Sequence, residues 1–201
     1  MQEAAPPVDG RTLRALRTRE AIVDATIAQI DEGDLRPTAP RVAERAGVSV
    51  RSIFQHFADL ESLHAAVAER LAVRLTALVL PISPELPLPE RVARFVRQRG
   101  TLLEAVTPIR RAANGHGPFS SGIQARLRDG QAFLRAEVAT AFQPELERVE
   151  DPTEVLDALD TACGWAAWDG LRSGLGRSPA AAERGMARPI HALPARAGNT
   201  I

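Results

Sequence analysis

The sequence predicts an all-α protein, a small three-helix head followed by a larger helical body. Apolar residues recur at three- and four-residue steps in one segment after another, the period of a helix that buries one face. Sustained apolar/polar alternation and turn-flanked β-branched runs, the marks of strands, do not occur. Glycine and proline fall between the periodic segments, where helices stop and start.

In chain order, residues 1–10 are rich in proline and alanine, and 11–19 hold four arginines and no acid. Residues 1–15 read as a disordered basic arm, either tracking phosphates or lying in a minor groove, or as a merely solvated tail. Thr18 is placed to cap a first helix reaching about Glu32, with Ile22, Ala25, Ile27 and Ile30 on apolar positions and Gly33 at its stop. Leu35 and Pro37 fall in a loop, and Thr38 is placed to cap the next helix. Pro40 lies in that helix's first turn, where its missing N–H costs nothing. Asp59 caps a long helix over about 60–80, in which Leu60, Leu63, Val67, Leu71, Leu75 and Leu78 follow helical steps.

Residues 81–89 form a proline-rich break. Beyond it an amphipathic helix over 90–106 carries Val92, Phe95, Val96, Leu102 and Leu103; Pro108 interrupts it, leaving a turn or two over 109–113. Residues 114–122, NGHGPFSSG, read as a loop without the glycine spacing or preceding strand of a phosphate site. Helical patterning resumes over 123–142 with Leu127, Phe133, Leu134 and Val138, and Pro144 closes it. Asp151 and Pro152 start a helix to about Gly170, and a shorter one follows Pro179, a good first helical residue after Ser178. The organisation is therefore an arm at 1–15, a head at 16–62, a body at 63–190 and a flexible tail at 191–201.

Residues 42–57, VAERAGVSVRSIFQHF, carry the chemistry. Val42, Ala43 and Ala46 share one helical face, with Arg41, Glu44 and Arg45 opposite, and Gly47 stands where a helix end needs positive φ. Ser49 is placed to cap a second short helix that buries Ile53 and Phe57. Val50, Arg51, Ser52, Gln55 and His56 then point wholly or partly outward. Two short helices joined by such a turn over about 38–57 make a helix-turn-helix, whose second helix enters the major groove of DNA; a generic αα-hairpin gives the same short pattern.

The 25 basic residues, all arginine, balance 25 acidic ones, so no global field advertises nucleic acid and local charge must carry that argument. The arginine, alanine, glycine and proline bias with no lysine or tyrosine reflects a GC-rich coding source. Cys163 is alone, which excludes an intramolecular disulfide and suits a reducing compartment and a core thiol. With no signal-peptide pattern and no apolar run of roughly 20 residues, a cytoplasmic protein with no membrane partner is expected.

The first 65 or so residues resemble the tetracycline-repressor (TetR) family of transcriptional regulators. The resemblance rests on a first helix over 19–30, Thr38, Val42 and Ala43, the run from Ala46 to Ser49, Ile53, Phe54, His56, Phe57, Glu61 and Leu63. It implies a homodimeric, ligand-responsive regulator, a repressor in the usual case, that binds a pseudo-palindromic double-stranded operator and is released by a small-molecule inducer. The implied DNA-binding residues are Thr38, Arg41, Ser49, Val50, Arg51, Ser52, Phe54, Gln55 and His56. Two positions depart from the family: Phe54 replaces a tyrosine that contacts phosphate, and Leu60 replaces a backbone-contacting lysine. Arg51 stands where the family has a small residue, and could read guanine bidentately or grip a phosphate.

In the body, Phe95, Arg99, Phe119, Phe133, Trp165 and Trp168 are candidate ligand residues, although core packing explains aromatic stripes equally, and a surface salt bridge explains Arg99. Trp165 and Trp168 share a face of the 156–170 helix. Ala158, Ala162 and Ala166, at steps of four, offer a close dimer contact on that helix. No cofactor, metal or catalytic set is expected: His56 and His64 lack companion ligands, Ser120 and Ser121 lack a base, and Asp157 with Asp160 reads as a solvated face. The alternative to a regulator is an all-α ligand carrier or partner-binding protein whose head has lost DNA affinity. An enzyme is not expected.

Overall fold

A computed structural model describes residues 9–116 and 121–193, which are helical with no strand among them. The helices are α1 (Gly10–Asp31), α2 (Ala39–Ala46), α3 (Val50–His56), α4 (Leu60–Thr76), α5 (Leu88–His116), α6 (Ser121–Ala141), α7 (Gln143–Leu146), α8 (Pro152–Ala162), α9 (Trp165–Asp169) and α10 (Pro179–His191), with a π-helical turn at Gly170–Gly174. Among the described residues no helix is long and apolar enough to cross a membrane. The chain divides into two compact units, Met1–Leu71 with Pro108–Gln124 and Ala72–Thr107 with Ala125–Ile201.

In the first unit α1 begins two turns earlier than expected. The Asp9 carboxylate, not Thr18, caps it by accepting from the Arg11 N–H at 3.4 Å, while the Thr18 hydroxyl donates to the Arg14 carbonyl. Arg11, Arg14 and Arg17 therefore lie on exposed helical turns, not on an irregular arm; residues 1–8 and 194–201 of the expected arm and tail lie outside the described residues. Ile22, Val23, Ile27 and Ile30 of α1 meet Val42, Ala43, Ile53, Phe57, Leu63, Val67 and Leu71 in one core.

Helix α4 starts with a reciprocal cap. The Ser62 N–H donates to Asp59 Oδ1 at 2.7 Å, and the Asp59 N–H donates to the Ser62 hydroxyl at 3.3 Å. The Ser62 N–H, with the Ser62 hydroxyl beside it, also holds the Asp59 carboxyl below the ordinary range. The helix stops at Thr76, short of Leu80, and of the predicted stripe only Leu63, Val67 and Leu71 are buried. The Gln98 amide then takes over the following strand-free segment, bonding both the N–H and the carbonyl of Leu80.

Pro108 does not interrupt its helix: α5 runs unbroken through it. A mid-helix proline forfeits one backbone bond and costs about 3 kcal/mol. Burial beyond it offsets that loss, because Ala112 is buried in the first unit's core and Ile109 packs against it.

The second unit has its own core, in which Phe95 meets Phe142 edge-on at 5.1 Å. Beside them the Arg91 guanidinium, 1% exposed, bonds both carboxylate oxygens of the fully buried Glu145 at 2.5 and 2.7 Å and donates to the Ala141 and Leu86 carbonyls. Both charges are thus fully partnered, the condition under which a buried pair is tolerated.

The predicted single helix over 152–170 is two helices. Gly164 is extended at ψ 169°, and a Cβ there would lie 2.9 Å from the Asp160 carbonyl oxygen, so the chain can break only at a residue without one. Trp165 and Trp168 therefore stand on α9, and Ala166 is separated from Ala158 and Ala162 by the break. Ala158 and Ala166 are exposed and Ala162 is half-buried. Ser178 caps α10 as expected, accepting from the Ala181 N–H.

Two stability outcomes follow. Glu145→Ala should lower the unfolding free energy by about 3–5 kcal/mol by leaving Arg91 charged and buried, and the double change Arg91→Met with Glu145→Leu should recover most of it. Denaturant titration checks this, and a loss under about 1 kcal/mol for the single change would contradict the pair's place in the core. Burial pushes the Cys163 thiol up to about 11. Its folded value lies above its unfolded one, so the thiol's contribution to stability is complete below about pH 9 and disappears as the pH rises through about 11. A disulfide-exchange reagent at neutral pH should label Cys163 only when denaturant unfolds the chain; prompt labelling of the native protein would refute its burial.

Candidate nucleic-acid interface

The turn between α2 and α3 is fixed by its backbone. Gly47 adopts φ 66°, the left-handed conformation a side chain disfavours, and the Val48 N–H returns to the Ala43 carbonyl at 2.9 Å, closing α2. Val48 tucks against the core. Ser49 then accepts from the Ser52 N–H at 3.1 Å and caps α3. At seven residues α3 has no stability of its own. Ile53, at 0% exposure, and Phe57, at 3%, anchor it to the core, and the Arg19 guanidinium lies 4.9 Å over the Phe57 ring.

This anchoring decides what faces outward. Val50, Arg51, Phe54 and Gln55 are exposed on one side of α3, with Ser52 and His56 half-buried at its edges. The Arg51 guanidinium has no hydrogen-bond or ion-pair partner among the described residues. Phe54 is 48% exposed, a large apolar ring in water, and Leu60 is 38% exposed at the head of α4. Neither carries a donor.

The cations of α2 are placed differently. Arg41 pairs with Asp34 at 2.7 Å, and Arg45 grips both carboxylate oxygens of Glu32 at 2.6 Å. Those bonds hold the Glu32 carboxyl below its usual range and raise Arg45 further. Thr38 is exposed at the N-cap position of α2, but its hydroxyl caps nothing; only its carbonyl takes part, accepting from the Val42 N–H. The two ion pairs border an open concavity of about 630 Å³ that Gln29, Gly33 and Glu44 complete. Sequence reasoning missed these acids, because Glu32 and Asp34 read only as polar residues around a helix stop.

The body candidates are packed rather than displayed. Phe95 and Trp168 are 2% exposed and Arg99 is 1% exposed, so Arg99 is not on the surface as the sequence suggested. Its guanidinium lies 4.8 Å over the Phe95 ring and donates to the Leu134 carbonyl, the Cys163 carbonyl and Glu137. Burial lowers the Arg99 pKa and raises that of Glu137. The Trp168 indole donates to Glu104 at 3.0 Å and that of half-buried Trp165 to the Thr107 hydroxyl at 3.2 Å. Phe133 is 39% exposed, and Phe119 lies outside the described residues. Asp160, expected in a solvated pair, accepts from the Gln131 amide and ion-pairs with Arg135.

Residues 22–67 match the family model described as bacterial regulatory proteins, tetR family. No curated protein matches the sequence. Among solved structures, a TetR transcription regulator from Haloarcula marismortui superposes with a TM-score of 0.67 at 15% identity, over 88% of this chain and 97% of that one. A TetR-family regulator from Streptomyces coelicolor gives 0.66 at 17% identity, over 88% and 78%. One from Marinobacter aquaeolei gives 0.55 at 18% identity, over 92% and 99%. Residues 22–67 are thus similar to the head of the tetR family of bacterial regulatory proteins, and the fold of the chain is the one seen in these solved structures.

Proposed function

We propose that the protein is a DNA-binding transcriptional regulator whose α3 lies in the major groove of a pseudo-palindromic operator, one head of a homodimer in each half-site. The observation that carries this is the outer face of α3: an arginine without an internal partner, beside Gln55 and Val50, held rigid by Ile53 and Phe57 beneath. Arg51 and Gln55 are the side-chain types that pair bidentately with guanine and adenine edges, and Val50 suits contact with a thymine methyl. Repression, and its relief by a small-molecule inducer bound in the body, follow from the family resemblance. An inducer would act by shifting α4 and so changing the head separation, favouring the state that cannot span successive major grooves.

A carrier with a silent head is the second reading. It is favoured by the donor-free Phe54 and Leu60 on the exposed surface of the head. A gel-shift panel of fragments flanking the protein's own coding region separates the two. The regulator should give a salt-sensitive, sequence-selective shift, and Arg51→Ala should lose about 1–3 kcal/mol of discrimination at one base position per half-site. An unaltered preference in Arg51→Ala would remove Arg51 from base readout, and no selective shift at all would support the carrier. Phe54→Tyr restores a phosphate donor and should tighten binding severalfold with little change in thermal stability, since the ring edge is already in water. Unchanged affinity would show that position 54 does not face the backbone.

A further inference from the structure

We propose that Asp34 limits the affinity of the DNA face by holding Arg41 away from backbone phosphate. The inference rests on the DNA-binding reading above and adds a residue to it that no motif contains. In a helix-turn-helix the first helix of the pair crosses the DNA backbone, so the first turn of α2 is where a phosphate would approach. That turn is prepared for an anion: Thr38 sits exposed at the N-cap with its hydroxyl unused, no side chain caps the helix, and the Arg41 side chain is 62% exposed. A carboxylate already occupies the arginine. Asp34 is itself fixed, because its side chain is only 16% exposed and its Oδ1 accepts from the Arg36 N–H at 3.1 Å while Oδ2 lies 2.7 Å from Arg41.

The pair therefore sets up a competition. A phosphate can take Arg41 only by breaking the contact with Asp34 or by sharing the guanidinium with a like charge beside it, and each lowers the net gain from the contact. An arginine neutralised in this way contributes less than a full counterion-release increment to the salt dependence. The other cation of the helix, Arg45, is occupied by Glu32 through two hydrogen bonds at 2.6 Å. Arg51 is then left as the partner-free cation of the motif among the described residues, which weights the interface toward base readout over backbone affinity.

The test is the salt dependence of binding by the full chain to a mixed-sequence duplex and to a duplex selected on the wild type, with Asp34→Asn, Arg41→Ala and the double variant. Asparagine keeps an oxygen for the Arg36 N–H, and circular dichroism verifies the fold. Asp34→Asn should bind both duplexes roughly three- to tenfold more tightly, with a log–log salt slope steeper by about 0.9. Arg41→Ala should abolish the gain in the double variant, which should bind no more tightly than Arg41→Ala alone. An unchanged slope in Asp34→Asn, or a gain that persists when Arg41 is also alanine, overturns the proposal while leaving the DNA-binding reading intact. If Asp34→Asn does not fold, Asp34→Ser, which also keeps an oxygen for the Arg36 N–H, is measured in its place with the same expected outcome. Wild-type protein that binds neither duplex sinks both.

Discussion

The seating of α3 is the constraint on which the remainder of the head depends. A seven-residue helix cannot persist in water, so its orientation is set by Ile53 and Phe57, both almost completely buried, and by the left-handed Gly47 that lets α2 turn back sharply enough to deliver it. Once those contacts are made, the opposite side of the helix has no freedom: Val50, Arg51, Phe54 and Gln55 face outward together. Core packing and the exposed face are the two sides of one short element.

Charge is distributed with the same division. A chain with 25 arginines and 25 acids has no net field to attract nucleic acid, and within the head the acids are placed on particular arginines. Asp34 and Glu32 neutralise α2, whereas Asp24 and Glu20 take Arg70 and fasten α4 to α1. Within residues 38–57, among the described residues, the arginine left without a partner is Arg51, exposed at the front of α3. In the second unit the buried arginines do structural work: Arg91 and Arg99 have their hydrogen bonds answered by carbonyls and carboxylates from distant parts of the chain.

Much of this was legible in the sequence, for local reasons. The all-α class, the Gly47 turn, the Ser49 and Asp59 caps, and the burial of Ile22, Ile53, Phe57 and Leu63 depend on residues near one another in the chain. What was not legible depends on tertiary contact. Pro108 reads as a helix breaker until Ala112 and Ile109 are seen to be buried beyond it, and Leu75 and Leu78 continue a stripe that packing abandons. The break at Gly164 hinges on one backbone approach to Asp160. Arg99 looked like a surface residue because its partners lie 35 to 64 positions away, and the acids that occupy Arg41 and Arg45 were invisible because a cation's partner cannot be inferred from its own helix.

The most direct measurement is guanine N7 methylation interference on an operator bound by the wild-type chain. N7 lies in the major groove, where a methyl group blocks an arginine's bidentate grip without altering the phosphates. If the outer face of α3 reads DNA, methylation should abolish binding at a few guanines clustered in two symmetric half-sites about one helical turn or a multiple of it apart. Binding that proceeds regardless of N7 methylation would show that α3 is not in the major groove, and would contradict the role assigned to Arg51.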